Sequence, residues 1–241
     1  MLQAILFDLF ETLITESQIQ PAGMSSLAPE LGCERDAFRR QWNALRPAAI
    51  TGRVSLRQAL SDIATNLGSH VDDAIVQRMC DERIRIKAQP FVQVEDHVLS
   101  LIDYLRSRNL RLGVISNCVT EDVAGWSRCS LASRFDCAVF SFEVGVAKPN
   151  PTIYIDAARR LQVDVSETWF VCDGANDELS GAVKAGLRAF RALWFLRRWP
   201  HFRDEPASAE NVNTVQELVC LVEQAIEPRN SDIRGPLPAP G

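Results

Sequence analysis

The sequence predicts an α/β protein with a parallel, doubly wound sheet and one inserted helical domain. Short apolar runs that end in polar residues alternate with amphipathic helical segments along most of the chain, which is the pattern of such sheets. Residues 17–90 break this alternation, because they contain apolar residues at helical spacing and no run typical of a strand. We therefore expect a sheet core formed by two separate stretches of chain.

The elements follow from apolar periodicity, taken in chain order. Residues 3–7 form an apolar run that ends in Asp8 and predicts a buried parallel strand. The insert is expected to hold about four helices, and Pro90 to mark the return to the main domain. Further strands are predicted at residues 110–115, 137–140, 169–172 and 189–194. Helices are predicted over residues 98–105, from Thr120, over 151–161 and 177–185, and after the capping box of Thr214 and Glu217.

These elements predict a core of residues 1–16 and 91–227 around an insert of residues 17–90. A charged, Pro-containing connector is expected over residues 197–206. The polar, Pro-rich residues 228–241 are expected to be disordered.

Composition narrows the function classes. The 241 residues carry a formal net charge of −5, which does not favour a nucleic-acid or anionic-membrane partner. Seven cysteines without a CxxC pair indicate reduced thiols rather than a zinc site or a disulfide framework. The sequence shows no signal peptide and no apolar run long enough to span a membrane. A cytoplasmic protein is therefore expected, as a monomer or homodimer.

Polar residues follow three of the predicted strands: Asp8, the pair Ser116 and Asn117, and Asp173. Lys148 lies in a loop before a helix. Because open parallel sheets bind ligands at the carboxyl ends of their strands, these side chains are expected to meet. Carboxylates, a hydroxyl, an amide and a lysine suit a small anionic substrate together with a metal ion.

Four segments resemble, in order, the four motifs of the haloacid dehalogenase superfamily. They are Ile5 to Leu13 (ILFDLFETL), Val114 to Asn117 (VISN), Lys148 to Pro151 (KPNP) with Tyr154, and Phe170 to Glu178 (FVCDGANDE) followed by Gly181 and Gly186. The resemblance implies a Rossmann-like core with an inserted α-helical cap domain that closes over the site. Residues 17–90 match that cap in place and length.

The resemblance also implies catalytic roles. Asp8 would be the covalent nucleophile, and Lys148 would neutralise charge on nucleophile and substrate. Thr12 and Ser116 would offer hydroxyl donors. Ser116 and Asn117 would take part in catalysis and substrate binding; the alternative is that they only cap the next helix.

A magnesium site is implied beside the nucleophile Asp8. Asp173 would hold Mg²⁺ with Asp177 or Glu178 nearby, since hard oxygen ligands suit that ion. By its position in the first motif, Phe10 is assigned to both the metal site and the substrate site. Arg39 of the insert is a weaker candidate, which would reach a substrate carboxylate.

The first motif departs from the phosphatases of this superfamily, which usually carry a second Asp as general acid and base two residues after the nucleophile. Here Phe10 holds that position, and Glu11 follows where glycine is usual. Glu11 could point away or partly replace the missing acid. The leading hypothesis is a Mg²⁺-dependent phosphatase acting on a small phosphorylated metabolite. The alternatives are a metal-free 2-haloacid dehalogenase and an inactive binding protein of the same fold.

Overall fold

A six-stranded parallel sheet forms the centre of the protein in the computed structural model, which describes residues 1–17, 24–200, 202 and 209–226. The strand order is β3-β2-β1-β4-β5-β6, and every neighbouring pair is parallel. The strands are β1 (Ala4–Phe7), β2 (Arg111–Ser116), β3 (Cys137–Phe140), β4 (Thr168–Cys172), β5 (Arg188–Ala192) and β6 (Glu210–Val212). The predicted parallel α/β sheet is confirmed.

Helices cover both faces of this sheet. Those in the described part of the chain are α1 (Arg35–Ala49), α2 (Leu56–Asn66), α3 (Asp73–Val92), α4 (Asp96–Ser107), α5 (Ser141–Val144), α6 (Pro151–Arg160), α7 (Glu178–Lys184) and α8 (Val215–Ile226). Ile5 and Phe7 of β1 pack in a hydrophobic cluster with α4 and α8. Ala4 and Leu6 point the other way and pack with α6 and α7, as the alternation of side chains along a strand requires.

Residues 24–92 form a separate helical layer with its own hydrophobic cluster. It contains α1, α2, α3 and a 3₁₀ turn at Met24–Leu27, close to the expected four helices. Glu34, Ser55 and Asp72 cap the three α-helices by accepting hydrogen bonds from first-turn amides. Val119, from the loop after β2, is buried in the same cluster, so this layer packs against that loop. The division into core and insert stays a prediction.

Some expected element boundaries differ from those observed. Pro90 lies inside α3, two residues before its end; the last turn is held by Phe91, which is buried in the core cluster. The helix expected from Thr120 is a series of 3₁₀ turns at Thr120–Val123, Trp126–Arg128 and Ala132–Arg134. The reason is local, because Asp122 accepts a hydrogen bond from the amide of Val119, and so the turn closes before Thr120 could cap a helix.

The C-terminal part contains an element that the sequence pattern did not predict. β6 is three residues long and mostly exposed, so it carries no apolar alternation. At α8 the amide of Glu217 donates to Thr214 Oγ1 at 3.2 Å, as expected for a cap, but the Glu217 carboxylate accepts from the amide of Asn213 at 2.7 Å. The disorder predicted for residues 228–241 and half of the connector at 197–206 fall outside the described residues.

Two negative findings concern the described chain. All seven cysteines are free thiols. Within the described ranges, every helix is too short or too polar to cross a lipid bilayer.

Helix α7 makes a close backbone contact with the loop that carries Lys148. A Cβ atom added at Gly181 would lie 2.3 Å from the carbonyl oxygen of Pro149 and 2.7 Å from its Cα. Such distances are far below van der Waals contact, so only glycine allows α7 to approach this loop.

We expect Gly181→Ala to lower the free energy of unfolding by about 1–3 kcal/mol, because the new methyl group forces α7 and Pro149 apart. This loss should outweigh the roughly 1 kcal/mol that alanine gains over glycine in a helix. Urea denaturation measures the change. Ser180→Ala, one position earlier on α7, is the matched control, with an expected change within about 0.5 kcal/mol. Equal stability of the two variants would contradict the close contact.

Candidate active site

The carboxyl ends of β1, β2 and β4 bring the predicted polar residues to one edge of the sheet. Phe7 pairs in register with Val114 on one side and Val171 on the other. Asp8 therefore leaves the sheet between the ends of β2 and β4, and its amide donates to the carbonyl of Val171 at 2.9 Å. The chain order reverses between β1 and β4, and ligands of open parallel sheets bind at such a position.

Lys148 is the centre of this group. Its side chain has no exposed surface, and its ammonium lies 2.5 Å from Asp8 Oδ1, 2.7 Å from Glu178 Oε2 and 3.0 Å from the carbonyl oxygen of Ile115. Burial by itself would lower the pKa of Lys148, but the charges of Asp8 and Glu178 outweigh it and raise that pKa above its ordinary value. The lysine is a fixed positive charge beside the carboxylate of Asp8.

Asn117 holds the Lys148 loop in place. Its Nδ2 donates to the carbonyl of Lys148 and its Oδ1 accepts from the amide of the same residue, both at 2.8 Å. The amide of Cys118 donates to Ser141 Oγ at 3.0 Å, which ties the loop after β2 to the end of β3. Asn117 thus positions Lys148, and Ser141 is a supporting residue that the sequence reasoning missed, since no motif marks it.

The fourth motif separates its three acidic residues. Glu178 is buried against Lys148, Asp173 is partly buried, and Asp177 is exposed. Burial, reinforced by the negative charge of Asp8, raises the pKa of Asp173 to about 6. Burial also raises the pKa of Glu178 to about 8, against the opposing effect of Lys148. Tyr154 is buried, and its Oη donates to the carbonyl of Glu178 at 2.7 Å.

A group of possible metal ligands lies at the end of β4. One ligand atom each from Cys172, Asp173 and Glu178 lies within 4.8 Å of the others. The two carboxylates are donors that suit a hard divalent cation. Burial raises the pKa of the Cys172 thiol well above its ordinary value, so this thiol is a poor ligand for such an ion. Asp177, being exposed, is not part of the group.

Two hydroxyl groups at the site lack protein partners. Thr12 and Ser116 are buried, and the oxygen of each side chain makes no hydrogen bond within the described residues. A buried hydroxyl without a partner is costly. Both hydroxyls are therefore available to donate to oxygens of a bound substrate.

The turn after Asp8 is held by its own neighbours. The ring of Phe10 packs edge-to-face on Phe91 with 6.3 Å between centroids, and the ammonium of Lys87 lies 4.8 Å from the Phe10 centroid. Glu11 accepts three hydrogen bonds, from Thr15 Oγ1 at 2.8 Å, from the amide of Glu16 at 2.8 Å, and from Trp199 Nε1 at 2.7 Å. The Glu11 carboxylate is therefore engaged by hydrogen bonds from the turn and from Trp199.

Two tryptophans after β5 reach the same turn. Trp194 Nε1 donates to the carbonyl of Thr12 at 2.9 Å, and Trp199 donates to Glu11. The indole of Trp194 is partly buried against the core cluster. No sequence signal marks Trp199, because its partner is nearly two hundred residues away.

Arg39 is the predicted site residue that stands apart from this group. Its side chain is 64% exposed and pairs with Asp36 on the same helix at 3.0 Å. The positions of the buried residues along α1 explain this placement: Phe38 and Trp42 form the buried face of the helix, and Arg39 lies on another face. We therefore leave Arg39 out of the site.

The chain is similar in sequence to hydrolases of one family. A family model described as haloacid dehalogenase-like hydrolase matches residues 2–186. The chain is 26% identical over 228 residues to a glyceraldehyde 3-phosphate phosphatase of Methanopyrus kandleri, covering 88% of this chain and 91% of the relative. It is 31% identical over 209 residues to (S)-2-haloacid dehalogenase 2 of Pseudomonas sp., covering 81% and 84%.

A solved structure shows the same architecture. The 2-haloacid dehalogenase from Pseudomonas syringae pv. Tomato DC3000 matches with a TM-score of 0.64 and 24% identity, over 93% of this chain and 100% of that chain. At this identity the match shows a shared fold. The named relatives divide between phosphatase and dehalogenase.

We expect Lys148→Met to destabilise the protein by about 3–5 kcal/mol, because it leaves the buried carboxylates of Asp8 and Glu178 without their cation. Urea denaturation at neutral pH measures the loss. Lys184→Met removes an exposed lysine at the end of α7 and should change stability by less than about 0.5 kcal/mol. A Lys148→Met protein as stable as the Lys184→Met control would show that the ion pairs contribute nothing.

Proposed function

Because the chain belongs to the haloacid dehalogenase-like hydrolase family, we propose that it is a Mg²⁺-dependent phosphatase that uses Asp8 as covalent nucleophile. Its substrate is a small phosphorylated metabolite. The observation that carries this proposal is the charge balance of the site, and we expect the protein to act as a monomer or homodimer.

The ammonium of Lys148 contacts the carboxylates of Asp8 and Glu178, and the partly buried carboxylate of Asp173 lies near that of Glu178. One ammonium offsets one carboxylate, so two negative charges are left when all three are ionised. Burial, reinforced by the negative charge of Asp8, raises the pKa values of Asp173 and Glu178, so each keeps its proton to a higher pH than usual. A divalent cation has the charge that balances the site.

The donor set fits magnesium. Asp173, with Asp8 and Glu178 nearby, would hold the ion, and Phe10 would belong to the same site by its position in the first motif. When bound, Mg²⁺ neutralises charge on the phosphoryl oxygens and on the nucleophile. The protonated Cys172 thiol argues against a thiophilic metal.

The described side chains can perform the two steps of phosphoryl transfer. A carboxylate oxygen of Asp8 attacks phosphorus, and the bond from phosphorus to the leaving oxygen breaks with its electron pair. Water then attacks the aspartyl phosphate, which releases inorganic phosphate and restores Asp8. Lys148 offsets the negative charge of Asp8 and attracts the anionic substrate, while Thr12 and Ser116 donate to its oxygens.

The helical insert would act as the cap over this site. Arg83 of α3 pairs with Asp122 of the loop after β2 at 2.6 Å, and Lys87 pairs with Glu16 of the turn after β1 at 2.7 Å. These contacts tie α3 to both loops that border Asp8. In this position the insert would exclude water and select the substrate.

Hydrolytic dehalogenation of a short 2-haloacid is the second candidate. In that reaction Asp8 displaces halide to form an ester, and water hydrolyses the ester. The observation in its favour is Phe10 at the position of the phosphatase acid, because a departing halide needs no proton. The 31% identical relative named (S)-2-haloacid dehalogenase 2 supports the same reading.

We expect Mg²⁺-dependent release of phosphate from p-nitrophenyl phosphate or from members of a sugar and nucleotide phosphate panel, and complete loss of turnover in Asp8→Asn. Asp103→Asn, on the exposed face of α4, is the matched control and should keep its activity. Chloride release from 2-chloropropionate that persists in EDTA would instead support the dehalogenase. Silence on every substrate, with Mg²⁺ still raising the melting temperature, would indicate a binding protein.

We expect the stabilisation by Mg²⁺ to grow as pH rises from about 5 to about 8. The ion binds ionised carboxylates, and Asp173, with its pKa raised to about 6, and Glu178, with its pKa raised to about 8, hold protons that compete with it at lower pH. The difference in melting temperature with and without Mg²⁺, measured across this range, tests this. In Asp173→Asn the difference should be small at every pH. A wild-type shift that stays constant with pH would contradict the competition.

A further inference from the structure

The residues after Asp8 determine how a leaving group can depart. A basic leaving group, such as the alkoxide of a sugar, needs a proton as its bond to phosphorus breaks, and general acids typically contribute about 10²–10⁴-fold to such steps. The question is which described side chain could donate that proton.

Phe10 cannot donate a proton, and its surroundings fix it as a packing residue. Its ring lies against Phe91, which is buried, and under the ammonium of Lys87. That ammonium pairs with Glu16 at 2.7 Å. Lys87 therefore brings positive charge close to Phe10, and its ammonium donates a hydrogen bond to the Glu16 carboxylate.

Glu11 is bound as an acceptor. Donors from Thr15, Glu16 and Trp199 point at its two carboxylate oxygens. A proton on this carboxyl group would compete with those donors for the same lone pairs. The backbone of Glu11 also has a φ of +55°, an unfavourable conformation for a residue other than glycine, and the three hydrogen bonds hold it there.

The other groups around the nucleophile do not supply this proton. Asp173 would be a ligand of the proposed metal ion. Lys148 directs its ammonium at Asp8, Glu178 and the carbonyl of Ile115. Glu178 is enclosed behind that lysine. The hydroxyls of Thr12 and Ser116 are very weak acids, suited to hydrogen bonding rather than to giving up a proton.

We infer that the natural substrate carries a weakly basic leaving group that departs as a stable anion without protonation. This inference rests on the proposed function and names its substrate class: a phosphoryl compound such as an acyl phosphate, whose leaving group is a carboxylate, in preference to the phosphate ester of an aliphatic alcohol. Asp8 forms the new bond to phosphorus, and the electron pair of the broken bond stays on the leaving oxygen.

The test is the dependence of kcat/KM on leaving-group basicity. A series of aryl phosphates with phenols spanning several pKa units is assayed with Mg²⁺, together with acetyl phosphate and glyceraldehyde 3-phosphate. We expect a steep fall of kcat/KM as the leaving group becomes more basic. Acetyl phosphate should exceed glyceraldehyde 3-phosphate by at least about 10²-fold, the lower range of general-acid assistance.

Two variants identify the cause of the slope. Phe10→Asp supplies an acid and should flatten the dependence, raising kcat/KM for the alkyl ester relative to that for acetyl phosphate. Phe10→Asn is the matched control without an acidic proton and should keep the steep slope. Glu11→Gln should lower all rates by a similar factor, because it disturbs the turn without removing an acid.

A flat dependence in the wild-type protein would overturn the inference and leave the phosphatase proposal standing. A loss in Glu11→Gln confined to basic leaving groups would also overturn it, by identifying Glu11 as the acid. Absence of phosphate release from every compound would refute the proposed function and the inference together.

Discussion

The buried ammonium of Lys148 is the interaction on which the rest of the site depends. A charge without exposed surface requires partners in direct contact, and Lys148 finds them in Asp8, Glu178 and the carbonyl of Ile115. Those partners come from the ends of β1 and β2 and from the start of α7. Asn117 clamps the loop from one side, and Gly181 lets α7 approach it from the other.

The same arrangement explains why one fold serves two chemistries. Attack by a carboxylate beside a lysine suits both phosphorus and a carbon that bears halogen. What differs is how charge is balanced during departure of the leaving group. In this chain the extra carboxylates of Asp173 and Glu178 favour a metal ion, while Phe10 and the engaged Glu11 remove the acid. The combination is intermediate between the phosphatases and the dehalogenases of the family.

Most of the fold and the centre of the site could be predicted from sequence. Apolar runs at β1, β2 and β4 are fully buried strands, and such strands have the clearest local signal. Asp8, Lys148 and Asp173 were found because each ends a strand or precedes a helix in a recognisable motif. β6 was not predicted because it has only three residues, two of them exposed, which is too short for an alternation of apolar and polar residues to show. The helix expected at Thr120 gave way to short turns because the amide of Val119 donates to the Asp122 carboxylate, a local contact that the Thr120 cap pattern does not contain.

The parts of the site that escaped prediction depend on long-range partners. The direction of the Glu11 side chain depends in part on its hydrogen bond with Trp199, which lies far along the chain. Asp177 precedes α7 and Glu178 is its first residue, so the first carboxylate is exposed and the second is buried. The expectation that Arg39 belongs to the site differs from the structure for a related reason. A loose local match gave no information on which face of α1 is buried. Motifs identify which residue types are present, but contacts with residues far along the chain determine where each side chain points.

The central position of β1 has a consequence for how the protein fluctuates. Its four residues have no exposed surface and lie between β2 and β4, with helices on both faces. Partial openings of a native protein begin at exposed elements, and its innermost strands exchange their amide hydrogens only when the whole structure unfolds. Asp8, the proposed nucleophile, is thus attached to a strand whose amides we expect to exchange among the slowest in the sheet. Motions that admit substrate must therefore arise in the surrounding loops and helices, while Asp8 stays in place.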